Sequence, residues 1–184
     1  MSGSAKSCRS SNNDSNTRQK EPTRTTGGRR TFQHCGANVN YPARIRWRCA
    51  RCAMCCKDTS EHERCIRVLP QEASKISHET KLKPDSFLAP FANSPPYTYV
   101  MRKHDGRCCF LAEGSCSIYD LRPITCIFFP FFLNKTGDGG FRFELTPEEC
   151  RGLGSGPVLS EEHFRPLFAL AVLRLKSADE DLAL

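Results

Sequence analysis

Several things are scarce in this chain of 184 residues. No apolar run approaches the length needed to cross a bilayer, which excludes a helical membrane protein. No apolar stretch follows the first basic residues, so no export signal is expected and the location reads as intracellular, cytoplasmic. Acidic residues are sparse at the start. Within residues 1–31, Lys6, Arg9, Arg18, Lys20, Arg24, Arg29 and Arg30 face only Asp14 and Glu21, so five of the seven net positive charges lie there. The remainder is nearly balanced, and the basic isoelectric point does not describe the folded part. That tail has little to bury and cannot offset its ordering entropy, which predicts disorder. Organelle targeting or nucleic-acid binding would have to act through it. A nucleotide-binding βαβ fingerprint is also missing. Gly152, Gly154 and Gly156 follow no expected strand and precede no Lys-Ser/Thr pair, so they are not a phosphate loop; close backbone approach to a metal centre explains them better.

Cysteine is abundant instead, with 12 in the chain, and only 39% of residues are hydrophobic. Without an export signal, that density points to a metal scaffold rather than a disulfide one. Cys49, Cys52, Cys55 and Cys56 fall within eight residues. Thiolates at such spacing suit a soft metal ion. The first three match the ferredoxin spacing, but the fourth is adjacent to the third. Neighbouring side chains on an extended segment point to opposite faces, so Cys55 and Cys56 suggest two centres unless a turn brings them together. A thioredoxin-like Cys-x2-Cys pair lacks its βαβ context.

Further along come Cys108-Cys109-Phe110-Leu111, Cys116-Ser117-Ile118-Tyr119, Arg122-Pro123-Ile124-Thr125-Cys126, Phe129-Pro130 and Cys150 before the glycines. In this order, over roughly residues 45–156, the chain resembles the YkgJ-type cysteine-cluster family of zinc- or iron-chelating domains. The resemblance implies metal ligation by Cys49, Cys52, Cys55, Cys56, Cys108, Cys116, Cys126 and Cys150. Cys109 stands at the family's proline position and reads as an extra thiol. Zinc and an iron–sulfur cluster are both compatible with such ligands. The implied function is a non-catalytic or accessory metal-binding protein. The alternatives are an iron–sulfur redox protein or, through a likeness to the cysteine-rich part of flagellin lysine methylases, a module related to S-adenosylmethionine-dependent lysine methylation. Arg122 either donates to a metal-bound thiolate or pins Asp120 or a backbone carbonyl. Cys8, Cys35, Cys65 and His62 stay outside the ligand set.

The expected fold is a small α+β domain, irregular and metal-stabilised, with short β-hairpins and a few helices. Arg44 to Cys49 alternates with period two, predicting a strand that delivers Cys49 to the core. Pro70 opens a helix to about His78. Residues 84–96 read as an extended loop over a buried Phe87, Leu88 or Phe91. Residues 97–101 have strand character, and Asp105-Gly106 turns the chain back toward Cys108. Residues 127–133 and 141–145 read as an aromatic hairpin. Thr146-Pro147-Glu148-Glu149 reads as a helix start before Cys150. A three-to-four-residue period from Phe164 to Leu175 predicts a last helix, kinked at Pro166 or beginning there. The division is a basic tail at 1–34, a cysteine-cluster domain at 35–158 and a C-terminal helix at 159–184. No membrane partner is expected; a protein partner fits.

Overall fold

Cys35 and Gly36 have φ values of 49° and 79°. Two successive left-handed residues make the tight turn that suits a two-residue hairpin. They join β1 (Arg29–His34) to β2 (Ala37–Pro42), with His34 opposite Ala37. Strand β1 therefore lies within the stretch expected to be tail. The computed structural model describes residues 28–92, 94–146 and 150–180; the tail from 1 to 27 and the expected Pro147-Glu148-Glu149 turn lie outside them.

The chain continues through β3 (Arg46–Trp47), β4 (Arg67–Val68), α1 (Pro70–Thr80), α2 (Pro84–Phe87), β5 (Leu88–Pro90) and β6 (Tyr99–Met101). Two short hairpins follow, β7 (Lys103–His104) with β8 (Arg107–Cys108), then β9 (Leu111–Ala112) with β10 (Ser115–Cys116). The last elements are α3 (Ile124–Phe128), β11 (Phe131–Lys135), β12 (Phe141–Leu145), β13 (Leu153–Val158) and α4 (Glu161–Glu180). This is the expected small α+β domain of short, irregular elements.

Its largest sheet has the order β1-β2-β12-β11, antiparallel except where β2 runs parallel to β12. The buried rings of Phe32, Tyr41, Phe131 and Phe143 come from this sheet, and α4 contributes Phe164 and Phe168. Phe164 lies 5.0–5.2 Å from the rings of Tyr41, Phe131 and Phe143. Such offset and edge-on ring pairs add to the burial of apolar area itself. α4 runs unbroken from Glu161, with Pro166 on an exposed position of the helix.

A second apolar cluster is built from shorter pieces. The sheet β4-β6-β5 and helices α1 and α2 bring together Ile66, Val68, Ile76, Phe87, Leu88 and Met101, with Cys108, Phe110 and Ile118 beside them. The loop expected over residues 84–96 thus contains α2 and β5, with Phe87 and Leu88 buried and Phe91 only half-buried. Glu72 joins this half to the rest. Its carboxylate is 6% exposed, caps α1 by accepting from Leu69 N–H, and accepts from Ile124 N–H at the start of α3. Arg174 of α4 closes the set with a 2.7 Å ion pair. A buried carboxylate is tolerable here because donors answer it from three directions.

Candidate functional site: a thiol-lined cavity

The period-two pattern before the first thiols holds only in part. Arg44 has φ 62°, which ends any extended run, and only Arg46 and Trp47 form the strand β3. Ile45 is buried, but Cys49 is exposed rather than delivered to the core. The reason lies 100 residues away. β13 pairs with β3 across a bulge, and Gly152 meets Arg48 so closely that a Cβ there would sit 2.2 Å from the Arg48 carbonyl oxygen. At Gly156 a Cβ would lie 2.6 Å from Arg48 Cβ. Gly152 and Gly156 therefore serve approach to a strand, not to a metal. Trp47 Nε1–H then donates to Cys150 Sγ at 3.3 Å, holding that thiol beside the strand.

After Cys49 the backbone turns repeatedly. Arg51 and Ala53 both have positive φ, 48° and 57°, and Met54–Cys56 is a single 3-10 turn. Non-glycine residues adopt that region at a cost, so surrounding contacts must hold the loop. Cys56 N–H and Lys57 N–H close it on the Ala53 and Met54 carbonyls. Asp58 anchors its far end: it pairs with Lys103 of β7 at 2.7 Å and accepts from Arg64 N–H. Burial disfavours the Lys103 ammonium, but the Asp58 and Glu63 carboxylates raise its pKa overall. This turn, rather than an extended segment, brings Cys55 and Cys56 to one wall, where each thiol shifts the ionisation of the other.

That wall belongs to a cavity of about 350 Å³. Cys49, Cys52, Cys55, Cys56, Cys108, Cys116, Cys126 and Cys150 all line it. Cys65 and Cys109 do not, and Cys109 instead directs its thiol at the Phe87 carbonyl, 3.8 Å away. Cys35 is exposed in the β1–β2 turn, and Cys8 lies outside the described residues. Every described cysteine is a free thiol.

Sharing a wall is not sharing a centre. Among the described residues, no three His, Cys, Asp or Glu side chains are arranged to hold a metal ion. Cys150 accepts from the Trp47 indole and Cys109 donates to the Phe87 carbonyl instead. This corrects the expectation of a zinc or iron–sulfur cofactor and of a metal-binding or iron–sulfur redox function. The lysine-methylation alternative, which rested on the same cluster, goes with it. The domain is stabilised by its apolar clusters and by Glu72, as described above.

Ionisation differs sharply around the cavity. The Cys56 thiol donates to Cys55, and the Arg64 and Arg122 guanidinium groups add attraction, so the Cys55 pKa falls from 9.0 to about 6 despite burial. Cys56 is pushed far up by the same hydrogen bond and by burial. Its bond to Cys109 and its burial raise Cys108, and burial alone is the main cause for Cys116 and Cys126. One thiolate thus faces several protonated thiols. Two arginines stack on aromatic rings at the rim. Arg122 lies 3.5 Å and Arg51 5.1 Å from the centre of the Tyr119 ring, and all three residues line the cavity. Arg122 therefore takes neither role expected of it. The ring packing was not legible from the Arg-Pro dipeptide.

The chain belongs to the CxxCxxCC family, described as a putative zinc- or iron-chelating domain, whose pattern matches residues 48–151. The metal that this description implies does not fit the side-chain arrangement found here. Comparison with curated proteins and with solved structures returned no match. No helix among the described residues is long and apolar enough to cross a membrane.

Proposed function

We propose that this protein carries out thiol–disulfide exchange on a small molecule held in the cysteine-lined cavity, with Cys55 as the nucleophile. The observation that supports this most is the gathering of eight free thiols around one space, with a single thiolate beside two guanidinium groups. The thiolate, not the thiol, attacks a disulfide. A pKa of about 6 leaves Cys55 mostly ionised at neutral pH. The cavity volume lies within the usual small-ligand range of ~300–1,000 Å³.

In the first step the Cys55 sulfur attacks one sulfur of the substrate disulfide. A new S–S bond forms, the old one breaks, and half of the substrate leaves as a thiolate. A second cavity thiol then attacks the Cys55 sulfur, forming an internal disulfide and releasing the other half. Two protein sulfurs are oxidised and one substrate disulfide is reduced to two thiolates; the second cavity thiol gives its proton to one of them, while Cys55, already a thiolate, has none to give. Cys56 is poorly suited to the second step. Adjacent Cα atoms lie ~3.8 Å apart, short of the ~4.4–6.8 Å usual for a disulfide. Cys108 and Cys126, which sense the Cys55 charge across the cavity, are the better candidates. An external dithiol would restore the reduced state. The free thiols of the described residues suit a reducing, cytoplasmic setting.

The test is incubation of the full chain with oxidised glutathione at pH 6–7, followed by intact-mass and peptide mapping. Glutathione adducts or an internal disulfide at Cys55, formed faster than at Cys35 and lost in Cys55→Ser, are expected. Equal modification of all thiols would overturn the proposal. So would thiols that become reactive only after a tightly bound metal is stripped from the purified protein.

A further inference from the structure

We propose that the cavity selects ligands carrying a carboxylate or similar anionic group, through a subsite formed by Arg51 and Arg122 on either contact of the Tyr119 ring. This rests on the cavity being a ligand site, and it adds the chemical class of what enters.

Three observations carry it. First, the cavity lining holds two arginines and no aspartate or glutamate; the rest is thiol, small or apolar. Second, neither guanidinium is answered by a described carboxylate. The ion pairs of the described residues involve Arg29, Arg142, Arg165, Arg174, Lys103 and His78, not Arg51 or Arg122. The Arg122 Nε atom is buried and has no hydrogen-bond acceptor among the described residues. Third, the charge is held in place. Arg122 stacks on Tyr119 at 3.5 Å, and Pro123 behind it is fully buried, so the guanidinium is already ordered before a ligand arrives. Arg51 is on the same loop as Cys52 and Cys55, where its positive φ sets the turn. Planar guanidinium groups bind carboxylate, sulfonate or phosphate by paired, charge-assisted hydrogen bonds. A part-enclosed wall of thiols and apolar side chains around them suits a soft or apolar body attached to that anion. A neutral ligand would leave the Arg51 guanidinium without a counter-charge, and Arg122 with the Cys55 thiolate alone, in a space partly removed from water.

Iodoacetate and iodoacetamide separate this from thiol reactivity. Both alkylate by the same step: the sulfur bonds to carbon as iodide leaves. They differ in the carboxylate. Rates at Cys55 in the full chain are followed by mass spectrometry, and the iodoacetate-to-iodoacetamide ratio is divided by that of free cysteine. The expected value is roughly three to ten above unity, since charge-assisted bonds are strong but the rim is part-exposed. It should fall toward unity in Arg51→Gln, an exposed position whose change spares the fold, and in Arg122→Gln. A ratio at unity, with Cys55 still the fastest thiol, would refute the anion subsite and leave the exchange chemistry standing.

A second readout does not depend on a reactive thiol. Trp47, the chain's one tryptophan, lines the cavity. Its fluorescence is titrated with thiodiacetate, a dicarboxylate without an electrophilic sulfur, and with the corresponding diamide. A saturable change with the acid alone, weakened several-fold in Arg51→Gln, is the expected result. No change with the acid, or an equal change with the diamide, would overturn the proposal.

Discussion

The two apolar clusters of this molecule are made in different ways. One is a ring core: five-to-six-residue strands and a 20-residue helix interlock Phe32, Tyr41, Phe131, Phe143, Phe164 and Phe168. The other is assembled from two- and three-residue strands, and its margin is thiol: Cys108 is buried in it, while Cys56, Cys109, Cys116 and Cys126 pack against it half-buried. Large rings supply most of the area removed from water, whereas a thiol is a small hydrophobe. The ring core can therefore hold the fold, while the thiol margin keeps a cavity and its chemistry. The two halves meet at Glu72.

Several changes would break or sharpen this contrast. The largest effect is expected in the ring core. Phe164→Ala removes a fully buried ring with three aromatic neighbours and should cost about 3–5 kcal/mol in denaturant unfolding. Cys116→Ser at the cavity margin should cost far less; equal losses would mean that the thiol side is as structural as the rings. At the joint, Glu72→Ala leaves the Leu69 and Ile124 N–H groups without their acceptor and should cost about 2–4 kcal/mol. Stability within 0.5 kcal/mol of the parent, a small fraction of that estimate, would show that α1 and α4 are joined by something else. Gly152→Ala should follow at about 1–3 kcal/mol, because the new Cβ must push β13 from Arg48, and it should also change Trp47 fluorescence by moving the indole from Cys150. An unchanged melting temperature would show that the bulge absorbs a methyl group.

The smallest effect concerns rate rather than stability. The reactive form of Cys55 is its thiolate, and its pKa is lowered, so alkylation should fall as pH drops through about 6 and level off above pH 7. A free cysteine follows a midpoint near 8.5. At pH 6, allowing for the weaker nucleophilicity of a low-pKa thiolate, Cys55 should react roughly tenfold faster than free cysteine. Arg122→Gln removes a cation that favours the thiolate and should move the midpoint upward. A midpoint near 8.5 in the parent would remove the distinction between Cys55 and its neighbours.

Much of the ordering was legible locally. Pro70 marked the start of α1, Asp105-Gly106 the turn between β7 and β8, and the aromatic stretches before and after residue 140 the hairpin of β11 and β12. These signals act over a few residues through fixed φ, missing donors and side-chain period. Strand β1 was less legible, because its partner β2 and not its own polar composition orders it. Ile127 and Phe128, which end helix α3, fall within the stretch expected to be an aromatic strand, because an apolar pair looks the same in either conformation. At the site, the eight cysteines were legible as a set from their spacing and family pattern. Their arrangement was not: it depends on Arg51 and Ala53 turning the loop and on Gly152 meeting Arg48.

By itself, the sequence determined the set of eight cysteines that line one cavity, the aromatic strands and last helix of the core, and membership of a cysteine-rich family, since each is written in composition, period or spacing. Only the tertiary structure decided that the thiols line a cavity without forming a metal centre, that its surroundings lower the Cys55 pKa while raising those of Cys56, Cys108, Cys116 and Cys126, and that two arginines stand over Tyr119. Coordination, ionisation and charge balance depend on distances between residues up to 100 positions apart, and those distances exist only once the chain has folded.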